Sequence, residues 1–209
     1  MEALLAIGSE APPRGRLASR LDGFGLVCAA DSGLDLLAAW GVEPDLVVGD
    51  MDSLSSLDLL AAYPDAEILR FPRAKDESDT ELGLRILHER GASRVVIAGG
   101  GGGRIDHLLA IRALFERPRP PAEWHAARES IYLVAEGRRL EFLAAEGETV
   151  SVFPLSSGAE GMRSSGLRWP LDGLRWGPGD FGLSNEAAGG GVRVEAGRGS
   201  LLVVREMRD

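Results

Sequence analysis

Aspartates recur in this chain just past the points where short apolar runs stop. Asp31 follows GLVCAA, Asp50 and Asp52 follow DLVVG, Asp76 and Asp79 lie in KDESDTE after EILRF, and Asp106 follows RVVIAGGGGGRI. In open α/β sheets ligands bind at the edge where parallel strands end. Carboxylates crowded there repel one another unless a cation lies among them, and hard oxygen donors suit Mg²⁺. A single Asp at such a place more often caps a helix or closes a turn. Repetition at successive strand ends is what points to a metal–phosphate site. The run Gly99–Gly103 would let backbone amides approach phosphate oxygens, with Gly102 and Gly103 next to Arg104. Arg104 has the fork geometry that clamps phosphate, and His107 could pair with a phosphate or move a proton, or simply start a helix. No GxxxxGK[ST] is present, nor does a GxGxxG follow the first strand, so neither common nucleotide fingerprint applies.

Two rare residue types single out further positions. Lys75 is the only lysine beside 22 arginines, and Asn185 is the only asparagine. Arginine does not replace lysine where a compact ammonium is needed, which marks Lys75 for a role at the site. Late in the chain, SGLRWPLDGLRWGPGDFGLSNE carries two tryptophans. Trp169 has the indole face to stack on an aromatic or cationic ring, while Trp176 reads as sandwich core.

These residues need a scaffold that brings strand ends together. LLAIGS, GLVCAA, DLVVGD, EILRF and RVVIAGG are bounded by Gly, Pro or Asp and fit strands buried on both faces. Helical patterns lie between them at about Leu34–Trp40, Leu54–Tyr63 and Asp79–Arg90. Ser78 with Glu81 fits a capping box, and Gly41 and Gly91 fit left-handed C-terminal caps. Such alternation predicts a doubly wound, mainly parallel α/β sheet. The segment Glu116–Arg128, with its cluster of prolines, reads as a linker or broken helix end. Beyond it IYLVAEG, RRLEFLAA, ETVSVFPL, GVRVEAG and SLLVVRE are short strands between Gly turns, expected to build a small antiparallel β-sandwich or barrel. The predicted division is residues 1–126 and 127–209.

Composition narrows the function class. A net charge of −9 argues against a nucleic-acid footprint, and no apolar run reaches the roughly 20 residues of a membrane span. The opening MEALLAIGSE does not read as a signal peptide. Cys28 alone cannot form an internal disulfide, which fits a reducing, cytoplasmic setting. Within GLVCAA it reads as a small buried strand residue.

The blocks ADSG, PDLVVGDMDS, KDESDTELGL, GGGGGRIDHLLA, SGLRWPL and LSNE resemble, in order and approximate spacing, those of thiamine pyrophosphokinases. The resemblance runs from about Ala29 to Val204. It implies a homodimer in which an α/β domain binds ATP and a β-sandwich domain completes the thiamine pocket across the subunit interface. It implies Mg²⁺ at Asp50, Asp52 and Asp79, with Asp31 close by. Lys75, Asp76, Ser78, Gly102, Gly103, Arg104 and His107 are then phosphate-side residues, and Trp169, Ser184 and Asn185 thiamine-side residues. Two departures stand out: ADSG in place of ADGG, where Ser32 narrows the approach to ligand, and Ser78 in place of Thr. The implied reaction is attack of the thiamine hydroxyl on the β-phosphorus of ATP, with AMP leaving. The alternative enzyme is a pyrophosphokinase of related fold acting on another alcohol, such as a hydroxymethylpterin, which SGLRWPL and LSNE disfavour. A phosphohydrolase using DMDSL would place that motif after the first strand, not the third. A ligand sensor without turnover is the rival of another class.

Overall fold

The computed structural model describes residues 1–156 and 158–207. A first compact unit comprises Met1–Ala127. Its strands are β1 (Glu2–Ile7), β2 (Leu26–Ala30), β3 (Leu46–Gly49), β4 (Glu67–Arg70), β5 (Arg94–Ala98) and β6 (Glu123–His125). They pair in parallel in the order β6-β5-β1-β2-β3-β4. The helices are α1 (Ala18–Leu21), α2 (Gly33–Trp40), α3 (Asp58–Ala61), α4 (Asp79–Glu89) and α5 (Ile105–Leu114). This is the doubly wound α/β sheet that the alternation predicts.

Side chains alternate faces along a strand, so consecutive residues of β1 serve different layers. Leu4 and Ala6 join the core under α2, with Leu34, Leu37 and Trp40. Leu5 points the other way, to α4, whose Gly83 lies against Leu5 and Val48. Both leucines are fully buried, each worth about 1.5–3 kcal/mol relative to exposure. A strand covered on both faces must be apolar throughout, which is why these runs lack alternation. Edge strand β4 is the exception and is largely exposed. The order reverses at β1: the chain steps outward through β2, β3 and β4, then returns to place β5 on the other side. A crevice therefore opens above the ends of β1 and β5.

Three local readings meet different outcomes. The capping box forms, with Ser78 Oγ accepting from the Glu81 N–H and the Glu81 side chain accepting from the Ser78 N–H. The helix expected over Leu54–Tyr63 contracts to α3. Upstream, Ser55 and Ser56 spend their side chains on competing bonds, to Asp35 and to the Asp58 N–H respectively. The segment Glu116–Arg128 is not merely a linker, because it contains β6, held by Ala122 N–H to Val95 O and Gly99 N–H to His125 O.

A second unit begins at Arg128. Its strands are β7 (Glu129–Val134), β8 (Arg139–Ala144), β9 (Thr149–Pro154), β10 (Ala159–Glu160), β11 (Arg163–Ser165), β12 (Arg175–Trp176), β13 (Gly182–Glu186), β14 (Gly190–Glu195) and β15 (Leu201–Glu206). They form antiparallel sheets β13-β9-β15-β7 and β11-β14-β8, with a ribbon of β10 and β12. Val150, Val152 and Val203 from one sheet and Val192 and Val194 from the other share one core, with Met162 and Leu171. The spacing of two along each strand is that of a sandwich. Trp176 packs partly buried against this core. Buried Arg205 is bonded to Glu148 and lies over the Phe142 ring. Cys28 is buried in β2, and burial pushes its thiol up to about 12, so it holds no thiolate for chemistry. Among the described residues, no helix is long and apolar enough to cross a membrane.

Candidate active site

A cleft of about 550 Å³ opens at the crevice above β1 and β5. One wall is Gly8 and Ser9 after β1; opposite lie Gly100, Gly102 and Gly103 after β5, then Arg104, Asp106 and His107 at the start of α5. Asp31, Ser32, Ser53, Ser78 and Asp79 also line it. The two loops are tied by Ser9 Oγ donating to Gly101 O at 2.8 Å and by backbone bonds between Glu10 and Gly101. Gly99, with φ of 103°, can take no side chain: a Cβ would lie 2.1 Å from Ile7 O.

The acidic group stands at the ends of β2 and β3. Carboxylate oxygens of Asp31, Asp50 and Asp52 lie within 4.8 Å of one another. Asp31 is buried, with a left-handed φ of 45°, and accepts the Met51 N–H at 3.0 Å. Gly49 makes that placement possible, since a Cβ there would fall 1.9 Å from Asp31 Oδ1. Burial pushes the Asp31 carboxyl up to about 7, aided by Asp79 and Asp50 and opposed by the Met51 bond. Asp50 is lowered, chiefly by the Asp52 N–H that it accepts at 3.1 Å. Three carboxylates gathered this closely offer hard oxygen donors, a set that fits a divalent cation such as Mg²⁺.

Asp79 opens α4 and faces Asp31, with its Oδ1 ion-paired to Lys75 Nζ at 2.8 Å. Burial opposes the Lys75 charge, but Asp79, with Asp50 and Asp31, outweighs it and raises the ammonium. Ser78 lines the cleft while its hydroxyl is spent on Glu81. Arg104 Nε donates to Asp106 Oδ1 at 3.1 Å, and the His107 N–H donates to the same carboxylate. Asp76 stands exposed and does not line the cleft. In the second unit Trp169 is 52% exposed, with the Arg168 guanidinium 5.1 Å from its ring. Asn185 is buried beneath it, and Ser184 is exposed in a left-handed conformation (φ 56°).

Residues 17–120 match the family model for the catalytic domain of thiamin pyrophosphokinase, and residues 138–201 match the model for its vitamin B1 binding domain. The chain belongs to the thiamin pyrophosphokinase family. Its activity is accordingly that of a thiamine diphosphokinase, and the vitamin B1 domain disfavours a pterin substrate. Solved structures agree on the fold. A thiamin pyrophosphokinase family protein from Enterococcus faecalis superposes with a TM-score of 0.80 at 22% identity, covering 100% of both chains. The enzyme from Bacillus subtilis gives 0.81 at 21% identity, again covering 100% of both. Yeast thiamin pyrophosphokinase gives 0.72 at 15% identity, covering 99% of this chain and 86% of the other. No curated protein sequence matches the chain significantly.

For a thiamin pyrophosphokinase, the wall that sequence reasoning missed is the one after β1. Gly8 and Ser9 line the cleft, and neither carries a charge that would draw attention. The available signal was positional: once β1 and β5 are neighbours at the reversal, whatever follows β1 must face the ligand. Ser32, noted as a departure, donates its N–H to Ser53 Oγ, and its own hydroxyl fills the space beside Gly8, where a Cβ would lie 2.0 Å from it.

Proposed function

We propose that the first unit binds ATP in this cleft, that Mg²⁺ is held at Asp50, Asp52 and Asp79 together with Asp31, and that the second unit supplies the thiamine side. The observation that carries the reading is the convergence of carboxylates from different strand ends beside a Gly-walled crevice. The loop amides after β1 and β5 would take phosphate oxygens. Lys75 and Arg104 supply fixed positive potential, although each is engaged by a carboxylate and must turn from it as phosphate arrives. Bound divalent cation supplies charge neutralisation at the phosphate oxygens. The thiamine hydroxyl oxygen forms its bond to the β-phosphorus, and the bridging oxygen leaves with AMP. The hydroxyl proton passes to a carboxylate of the Asp50, Asp52 and Asp79 group. Such transfer depends on positioning and charge more than on covalent chemistry. AMP should form only when thiamine, ATP and Mg²⁺ are all present. Thiamine-independent release of phosphate, or equal turnover of a hydroxymethylpterin, would refute this reading.

The working form is a homodimer with composite sites, in a reducing cytoplasmic compartment. Ile105 and Leu109, one turn apart on α5, are 73% and 62% exposed, and Phe181 and Leu183 stand exposed on the second unit. Apolar residues grouped in this way favour a covering partner, and a second copy is the simplest. Mixing Asp52→Asn with Trp169→Ala protein should restore part of the activity, through heterodimers holding one intact site. With subunit exchange demonstrated, no recovery would place each site within one chain.

A further inference from the structure

Trp169 lies outside regular secondary structure, so its main chain needs partners beyond a ladder. Both of its backbone polar groups are taken by one side chain. Asn185 Oδ1 accepts the Trp169 N–H at 3.1 Å, and Asn185 Nδ2 donates to Trp169 O at 2.6 Å. The same Oδ1 also accepts the Glu186 N–H at 2.8 Å. Asn185 is only 6% exposed, and its amide oxygen is saturated by these bonds. Such a side chain is poorly placed to touch a substrate.

A register break turns it inward. Along β13, Gly182 opposes Val152 and Asn185 opposes Val150, so three steps on β13 match two on β9. The extra residue is a β-bulge, with Ser184 left-handed and its N–H bonded to Ser151 Oγ at 3.0 Å. Leu183 and Asn185, two apart, would share a face in a regular strand. Here Leu183 is 63% exposed and Asn185 is buried. The bulge converts an outward position into a clamp on the neighbouring segment, which runs alongside through Arg168 N–H to Glu186 O.

We infer that Asn185 is a positioning residue for thiamine, acting through the Trp169 main chain to hold the indole ready rather than contacting the substrate. This rests on the reading that Trp169 stacks on thiamine. The clamp requires a donor and an acceptor on one short planar group. Asp lacks the donor, Gln is a methylene too long, and Ser has one atom where two are needed.

The test is a double-mutant cycle read as KM for thiamine and for ATP. Trp169→Ala should raise the thiamine KM about tenfold to a hundredfold. Asn185→Ala should raise it about tenfold, and the double variant should lose no more than Trp169→Ala alone. The ATP KM should move less than about twofold throughout, since neither residue lies in the nucleotide cleft. Asn185→Asp keeps the acceptor and loses the donor; it should raise the thiamine KM about threefold to tenfold and decides the matter if Asn185→Ala does not fold. Additive losses would mean direct contact with thiamine and would overturn the positioning role, as would Asn185 variants of unchanged thiamine KM. An unchanged KM in Trp169→Ala would instead defeat the stacking reading, and this inference with it.

Discussion

Asp52→Asn is expected to slow pyrophosphate transfer on the order of 10²–10³-fold while leaving the fold intact. Asparagine keeps the size of the side chain and removes one negative charge from the group that includes Asp31 and Asp50. With less charge to hold it, a cation binds more weakly and the phosphates keep more of their repulsion in the transition state. Stability should hardly move, because the Asp52 side chain is 48% exposed and its ion pair with Arg73 is long, at 3.5 Å. Exposed pairs of this kind contribute at most about 1 kcal/mol. Asp31 would be a poorer choice for the experiment: it anchors the Met51 N–H, so its loss mixes chemistry with backbone geometry. The assay is turnover across a Mg²⁺ titration, beside thermal unfolding. Near-normal turnover at limiting Mg²⁺ would remove Asp52 from the metal site.

The strand ends that carry these aspartates were legible because a buried parallel strand has a simple signature, an apolar run cut off by Gly or Asp. The capping box at Ser78 was legible for a similar reason, since both of its partners lie within four residues. What could not be seen locally was anything set by a distant neighbour. Ser9 belongs to the cleft only because β5 lies beside β1. The bulge that buries Asn185 is defined against β9, more than thirty residues away along the chain. SGLRWPL and LSNE could therefore be assigned together to the thiamine side, but not the bond between them. The contraction of the helix expected over Leu54–Tyr63 has one local cause that was visible, Ser56 able to accept from the Asp58 N–H, yet the apolar spacing pointed the other way. β6 is the sharpest case. EWH has three residues behind a cluster of prolines, too short for any period to show, and its strand character comes from pairing with β5.

That unheralded strand carries the largest stability prediction. Glu123 of β6 is 4% exposed, and its carboxylate accepts from Arg20 at 2.7 Å, from His125 Nε2 at 2.8 Å, and from Arg94. Glu2 bonds the same two arginines at the start of β1, so the cluster joins β1, β5 and β6 to α1. Burial by itself would raise the Glu123 carboxyl. The bonds from His125 and Arg20, with their charges, outweigh it and hold the group at about 2. An unfolded glutamate titrates near 4.5, the reference value for this group. The folded state therefore binds this proton less readily than the unfolded one, and stability should be fully present above about pH 5 and lost as pH falls from about 4.5 towards 2. The gap corresponds to about 3 kcal/mol. Glu123→Gln removes the charge but keeps the shape, so it should be less stable than the native chain by about 3 kcal/mol at pH 7. The difference should shrink on acidification and vanish below about pH 2, as the native carboxyl is itself neutralised. Urea unfolding of both proteins at pH 7, 4 and 2.5 would show that convergence. Parallel stability curves across this range, with a constant offset, would mean that Glu123 contributes through packing and not through its charge.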